Sequence, residues 1–321
     1  MAEKEKTGAG LLGLLYLQAL PGTGDTSIMK RILPALCGSA ADRSAAEAAA
    51  AAAGFENSDS AWRTAEERYL EIRKMVQSGE LTVLTCFDGL YPEKLGRFRD
   101  LAAAGMKTPY CPPPVIYCRG NLALLETPSA AVIGTRKPSA GSLDFDRRLA
   151  KELVRNGRTV ISGLAAGCDT AAHMAALGST DGRRGRGRTI AVLPCGFDNI
   201  YPKSGAPLAE RIAGSGAGLL ISAYRPDESV ERFRLIERDE LTAALSDVVI
   251  AVQCGRKSGT MHTVKAAAAM KRPLACWWWD ESEETPDGDF LGNYHMIAHM
   301  GAFPVKDEDS LQKFLNQAEK R

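Results

Sequence analysis

Residues 129–169, SAAVIGTRKPSAGSLDFDRRLAKELVRNGRTVISGLAAGCD, restrict the possible folds of this chain more than any other stretch. A short apolar run, Ala130-Ala131-Val132-Ile133, hands over to Gly134-Thr135-Arg136, the pattern of a buried parallel strand reaching its turn. Leu143, Phe145, Leu149, Leu153 and Val154 then recur at near-helical spacing, and Asn156-Gly157 ends the helix before the β-branched run Thr159-Val160-Ile161. Ser162-Gly163-Leu164-Ala165-Ala166-Gly167 is a second turn of small residues, opening a helix predicted to run through His173. Two strands that end in such turns place backbone N–H groups and helix N-termini on one sheet edge, where a phosphate is stabilised.

The alternation continues to the end of the chain. Strands are predicted at 189–193, 218–222, 247–252, 274–278 and 302–305, with helices opening near Tyr201-Pro202, over 233–245, from 260 through Met270 and from Ser310. This predicts an α/β fold: a Rossmann-like, mostly parallel sheet with helices on both faces, over residues 128–321. A small helical domain is predicted to precede it, over 1–78. Its first helix holds Leu11, Leu14, Leu17 and Leu20 and stops at Pro21-Gly22-Thr23-Gly24, and its second, capped by Asp25 or Thr26, runs to near Pro34. The unit is similar to a helix-hairpin-helix or sterile-alpha domain, although a turn between packed helices needs Pro and Gly on conformational grounds alone. The alanine-rich 40–53 reads as a surface helix or loose connection. Trp62 to Val76 reads as a helix with Trp62, Tyr69, Ile72 and Val76 inward. A connecting segment, 79–127, holds strands near 81–84 and 115–121 and a short helix from Tyr91.

Charge excludes a global mode of nucleic-acid binding. With 40 Lys plus Arg against 39 Asp plus Glu, net +1, any such binding must be local. Eight cysteines without a C-x-x-C pair, and four histidines, give no support for a disulfide scaffold or a metal site. The N-terminus carries both signs of charge, and the apolar run after it is too broken for a signal peptide or membrane span, so a cytoplasmic location is expected.

Neither G-x-x-x-x-G-K-[ST] nor, after the first strand, G-x-G-x-x-G is present, so ATP hydrolysis and dinucleotide binding lack their usual sequence support. What remains is three small-residue turns after strands, at Gly134, Ser162-Gly163 and Ser258-Gly259-Thr260, with Arg136, Arg238 and Lys257 nearby. These predict an anion site. Asp169 and His173, four residues apart at a helix start, suit capping and packing better than catalysis. No catalytic residue and no cofactor is predicted.

The order G-T-R (134–136), S-G-L-A-A-G-C-D-T-A-A-H (162–173), T-I-A-V-L-P-C-G-F-D-N-I-Y-P (189–202), L-T-A-A-L-S-D (241–247) and S-G-T (258–260) resembles the DNA-processing protein A family, DprA, also called Smf. The resemblance implies a cytoplasmic, usually dimeric protein that binds single-stranded DNA and helps load a RecA-type recombinase during transformation, with no known turnover reaction. It makes Arg136 a phosphate partner beside Gly134 and Thr135. It makes Ser162, Gly163 and Ala165 hydroxyl and backbone donors, with Gly196 at the next turn, Arg238 nearby, and Lys257, Ser258, Gly259 and Thr260 closing the pocket. Three positions depart from the family: Arg238-Asp239-Glu240 replaces R-N-R, Gly205 replaces an asparagine, and Trp277-Trp278-Trp279 with the acidic run 280–289 replaces a proline-glycine turn.

The alternative is a nucleotide-ligand sensor or nucleotide-processing enzyme of the related LOG-like superfamily, with Asp239, Glu240 and the tryptophans lining a base or ribose site. Its phosphoribohydrolases carry P-G-G-x-G-T-x-x-E at the last turn, whereas Thr263 stands here in place of the glutamate that would act as acid or base. For the three tryptophans, one buried and two at a subunit contact is the expectation.

Overall fold

A computed structural model describes residues 10–36, 42–180, 187–279 and 288–320. Most of the basic glycine-rich loop at 182–188 and of the acidic run lies outside the described residues. The chain divides into two compact units, Met1–Arg119 and Gly120–Arg321. No helix among the described residues is long and apolar enough to cross a membrane.

The first unit contains α1 (Leu11–Ala19), α2 (Asp25–Ser27, continuing as a π turn over Ile28–Ile32 and a 3-10 turn over Leu33–Ala35), α3 (Arg43–Ala52), α4 (Asp59–Ser78), β1 (Thr82–Thr85), α5 (Glu93–Ala103) and β2 (Val115–Gly120). The predicted turn after α1 forms, but the cap of α2 is Gly24 rather than Asp25 or Thr26. Thr23 holds the turn, its hydroxyl donating to Leu20 O at 2.6 Å, and Asp25 instead accepts from Gln18 Nε2 at 3.0 Å. The alanine-rich α3 is packed, with Ala46, Ala49 and Ala50 buried, because small side chains let it approach its neighbours closely. Trp62 of α4 stacks on Tyr16 of α1, centroids 4.2 Å apart, and donates from Nε1 to Glu47 of α3 at 2.8 Å. Ile72 is buried as expected, whereas Tyr69 and Val76 are half-buried.

The second unit contains β3 (Ser129–Ile133), α6 (Ala140–Arg155), β4 (Thr159–Ser162), α7 (Cys168–Leu177), β5 (Thr189–Leu193), α8 (Ala206–Gly214), β6 (Gly218–Ser222), α9 (Arg232–Leu245), β7 (Val248–Ala251), α10 (Thr260–Ala269), β8 (Leu274–Trp277), α11 (Leu291–Met300), β9 (Phe303–Val305) and α12 (Glu308–Ala318). Its strands lie in the order β6-β5-β4-β3-β7-β8-β9. Every pairing between them is parallel, with Ala131 level with Ile161 on one side and Val249 on the other. From β3 the chain winds outward through β4, β5 and β6, then returns through α9 to β7 on the other flank of β3. The direction of winding therefore reverses between β3 and β7, and such a switch point leaves a crevice beyond the strands' carboxyl ends.

Residues of β3 to β8 are buried throughout, as expected for a sheet covered on both faces. One core layer joins Val132, Val160 and Ile250 of the sheet to Phe145, Leu149 and Leu153 of α6 and Phe314 and Leu315 of α12. Ser139 caps α6 through Ser142 N, and Asp307 caps α12 through Ser310 N. Trp277 is buried, stacked on Phe145 with centroids 4.9 Å apart, while Trp278 and Trp279 are half-buried and stack on each other at 4.4 Å.

Candidate functional site

A cleft of about 630 Å³ opens over the carboxyl ends of β3, β4 and β7, walled on one side by α9. Each segment reaches it for a local reason. After β3 the chain must pass close to the start of α7: a Cβ on Gly134 would stand 2.4 Å from Cys168 Sγ, so only glycine fits there. Thr135 N donates to Gln253 O at 2.8 Å and Thr135 O accepts from Cys168 N at 3.2 Å, which locks this turn between β7 and α7. Arg136 and Lys137 then project from the rim and are exposed. Opposite them, Ser258, Gly259 and Thr260 form the entry to α10, whose helix dipole favours negative charge at that end.

The turn after β4 is occupied by the protein itself. Asp169, in the first turn of α7, accepts through Oδ2 from Gly163 N and Ala165 N, both at 3.2 Å. The Ser162 hydroxyl is buried and donates to Val132 O at 2.7 Å. The donors that the resemblance assigned to a phosphate are therefore engaged, because an aspartate in the first turn of α7 reaches back to the amides of the preceding turn. Arg238 of α9 is buried beside this turn; its Nη1 donates to Gly163 O and its Nε lies 3.0 Å from Asp239 Oδ1.

Electrostatics follow from this crowding. Burial raises the Asp169 carboxyl, against the pull of the Arg238 guanidinium and the two backbone donors. Burial also raises Asp239, to about 6, with Arg238 again opposing and Asp169 reinforcing the rise. His173 is buried with Nδ1 2.7 Å from Thr189 Oγ1, and burial lowers its pKa to about 3, so it packs as a neutral ring. His173 thus packs, as its spacing suggested, whereas Asp169 does not cap α7, whose N-cap is Gly167, and instead ties down the β4 turn.

Of the residues singled out in the sequence, the cleft brings together Gly134, Thr135, Arg136, Gly163, Ala165, Arg238, Ser258, Gly259 and Thr260. Ser162 lies behind it. Lys257 is exposed but outside its lining. Gly196 is elsewhere: its N donates to Glu228 O at 2.8 Å, and a Cβ there would meet Arg225 O at 1.9 Å, so this glycine serves the packing of the 225–228 loop. Two rim cations, Lys137 and Arg232, were not anticipated. Lys137 follows Arg136 directly and was legible; Arg232 reaches the cleft only because α9 crosses back over the sheet.

The sequence profile of the DNA recombination-mediator protein A family matches residues 82–316, which takes in every cleft residue. The chain belongs to this family. Within the DNA recombination-mediator protein A family, Protein Smf of Synechocystis sp. is 34% identical over 218 residues, 64% of this chain and 53% of that protein. The chain thus spans about half the length of that relative. The crystal structure of DNA processing protein A from Streptococcus pneumoniae superposes with a TM-score of 0.72 at 27% identity, covering 94% of this chain and 97% of that one. DNA processing protein A from Helicobacter pylori, whose structure is described for its single-stranded DNA binding mode, is 32% identical with a TM-score of 0.55, over 64% of this chain and 88% of that one.

Proposed function

We propose that this protein binds single-stranded DNA in the strand-end cleft, without sequence preference, and acts in DNA uptake and recombination. The observation that carries the reading is the convergence of Arg136, Lys137 and Arg232 with the start of α10 at the switch point of a parallel sheet. A phosphate entering there meets side-chain cations and the α10 terminus, since the β4 turn is already filled by Asp169. Binding of this kind releases counterions and depends on salt rather than on base identity. The single-stranded DNA bound by the Helicobacter relative supports the choice of ligand.

Delivery of the strand to a RecA-type recombinase, a homodimeric state and a cytoplasmic location belong to the same proposal and rest on family membership. Sedimentation velocity is expected to show a dimer, and a monomer at every concentration would contradict that part.

Anisotropy with a labelled oligonucleotide tests the central reading. Submicromolar, salt-sensitive binding is expected, and Arg136→Ala should weaken it about tenfold at low salt while shrinking the slope of log K against log salt by about 0.7. One observation favours the nucleotide reading: the half-buried Asp239 in the cleft is an acceptor suited to a ribose hydroxyl or a base amine. Thr263, in the position of the phosphoribohydrolase glutamate, also lines the cleft and brings no acid or base there. Absence of oligonucleotide binding, with a thermal shift from a mononucleotide, would replace the first reading by this one.

A further inference from the structure

Large apolar side chains left in solvent beside an anion site need a reason. Phe233 is 50% exposed and Ile236 39% exposed, and both stand on the first turns of α9. Residues three apart are neighbours on a helix surface, so the two side chains form one apolar strip. Ile236 lines the cleft together with Leu235 and Arg232. The Phe233 ring therefore continues the cleft wall outward, into solvent.

That ring is also held in place. The Arg234 guanidinium lies 5.6 Å from the centroid of Phe233 and 4.6 Å from that of Tyr224. Arg234 is itself pinned by Glu228 at 2.9 Å, Glu231 at 3.2 Å and Ser229 O at 2.8 Å. Its charge is spent on those carboxylates, so its contribution is to order the ring, while the exposed Arg232 next to it supplies charge to the rim. An ordered aromatic face beside a cleft with cations on its rim is the pairing used for single strands, where a base stacks and the backbone is neutralised.

We propose that Phe233, backed by Ile236, is a stacking platform for a base of the strand whose phosphate enters the cleft, with Arg232 pairing the phosphate between them. The proposal rests on the reading of the cleft as a single-stranded DNA site, and the test separates the two. Anisotropy is measured with an oligo-dT probe and with an abasic sugar-phosphate probe of equal length, for the wild type, Phe233→Ala, Phe233→Trp and Arg136→Ala. Stacking predicts that Phe233→Ala lowers the ratio of oligo-dT to abasic affinity about tenfold, that Phe233→Trp restores it, and that Arg136→Ala weakens both probes together. A ratio unchanged by Phe233→Ala, with Arg136→Ala still weakening both probes, overturns the platform and leaves the cleft reading standing; so does Phe233→Ala abolishing self-association with that ratio intact, which makes the strip a protein contact. If Arg136→Ala changes neither probe, the cleft reading fails and the platform with it.

Discussion

Arg238→Met is expected to lower the unfolding free energy at neutral pH by about 3–5 kcal/mol, the cost of leaving buried charge without its partner. The methionine keeps the apolar stem, so the loss isolates the guanidinium. That group donates to Gly163 O and lies 3.0 Å from Asp239, and it opposes the rise of both Asp169 and Asp239. Without it the buried Asp169 and the half-buried Asp239 lose the cation that most opposes their rise. The deficit should therefore shrink in acid, as both take up protons. Urea unfolding at about pH 7 and at about pH 4 reads this directly; a deficit below about 1 kcal/mol at neutral pH would show that Arg238 is not what balances the turn.

Asp239→Asn acts in the opposite direction. Burial raises this carboxyl on folding from 3.8 to about 6, with Arg238 opposing. A carboxyl raised in the folded state holds its proton more tightly there, so its favourable contribution is complete below about 3.8 and is lost as pH rises through about 6. Asparagine imitates the protonated acid and avoids that loss. A gain of about 2–3 kcal/mol is expected above neutral pH, fading to nothing near pH 4. The same substitution removes one negative charge from the cleft, so affinity for single-stranded DNA should rise with it. Wild-type affinity should likewise rise as pH falls from about 7 toward 5, and the variant should lose most of that dependence. Equal stability differences in acid and in alkali would contradict the assignment.

The sheet was legible because its strands are short and mainly apolar, recur in alternation with helical segments, and in β3 and β4 run straight into a glycine turn, the pattern of a parallel sheet covered on both faces. Helix α11 was not anticipated. Its cap, Phe290, makes no side-chain hydrogen bond, and its buried side includes Gly292 and Asn293. Asn293 is core through chemistry that periodicity does not register: its amide donates to Val252 O at 2.8 Å and Trp277 O at 3.0 Å, tying β7 to β8.

In the cleft, the places of the turns were legible and the use of their donors was not. A run such as Ser162 to Gly167 announces a tight strand-to-helix turn, but whether its amides meet a ligand or an internal acceptor depends on Asp169, and on the direction in which α7 leaves the turn. Gly196 shows the same limit, since close packing of the 225–228 loop requires a glycine as firmly as a phosphate would.

Photo-crosslinking of a single-stranded oligonucleotide, with the adducts mapped by mass spectrometry, tests the central claim most directly. Adducts are predicted on peptides containing residues 134–137, 232–236 and 258–263, and should vanish in the presence of excess unlabelled strand. Adducts confined to the first unit, around the turn at 20–25, would contradict the account and move DNA binding away from the strand-end cleft.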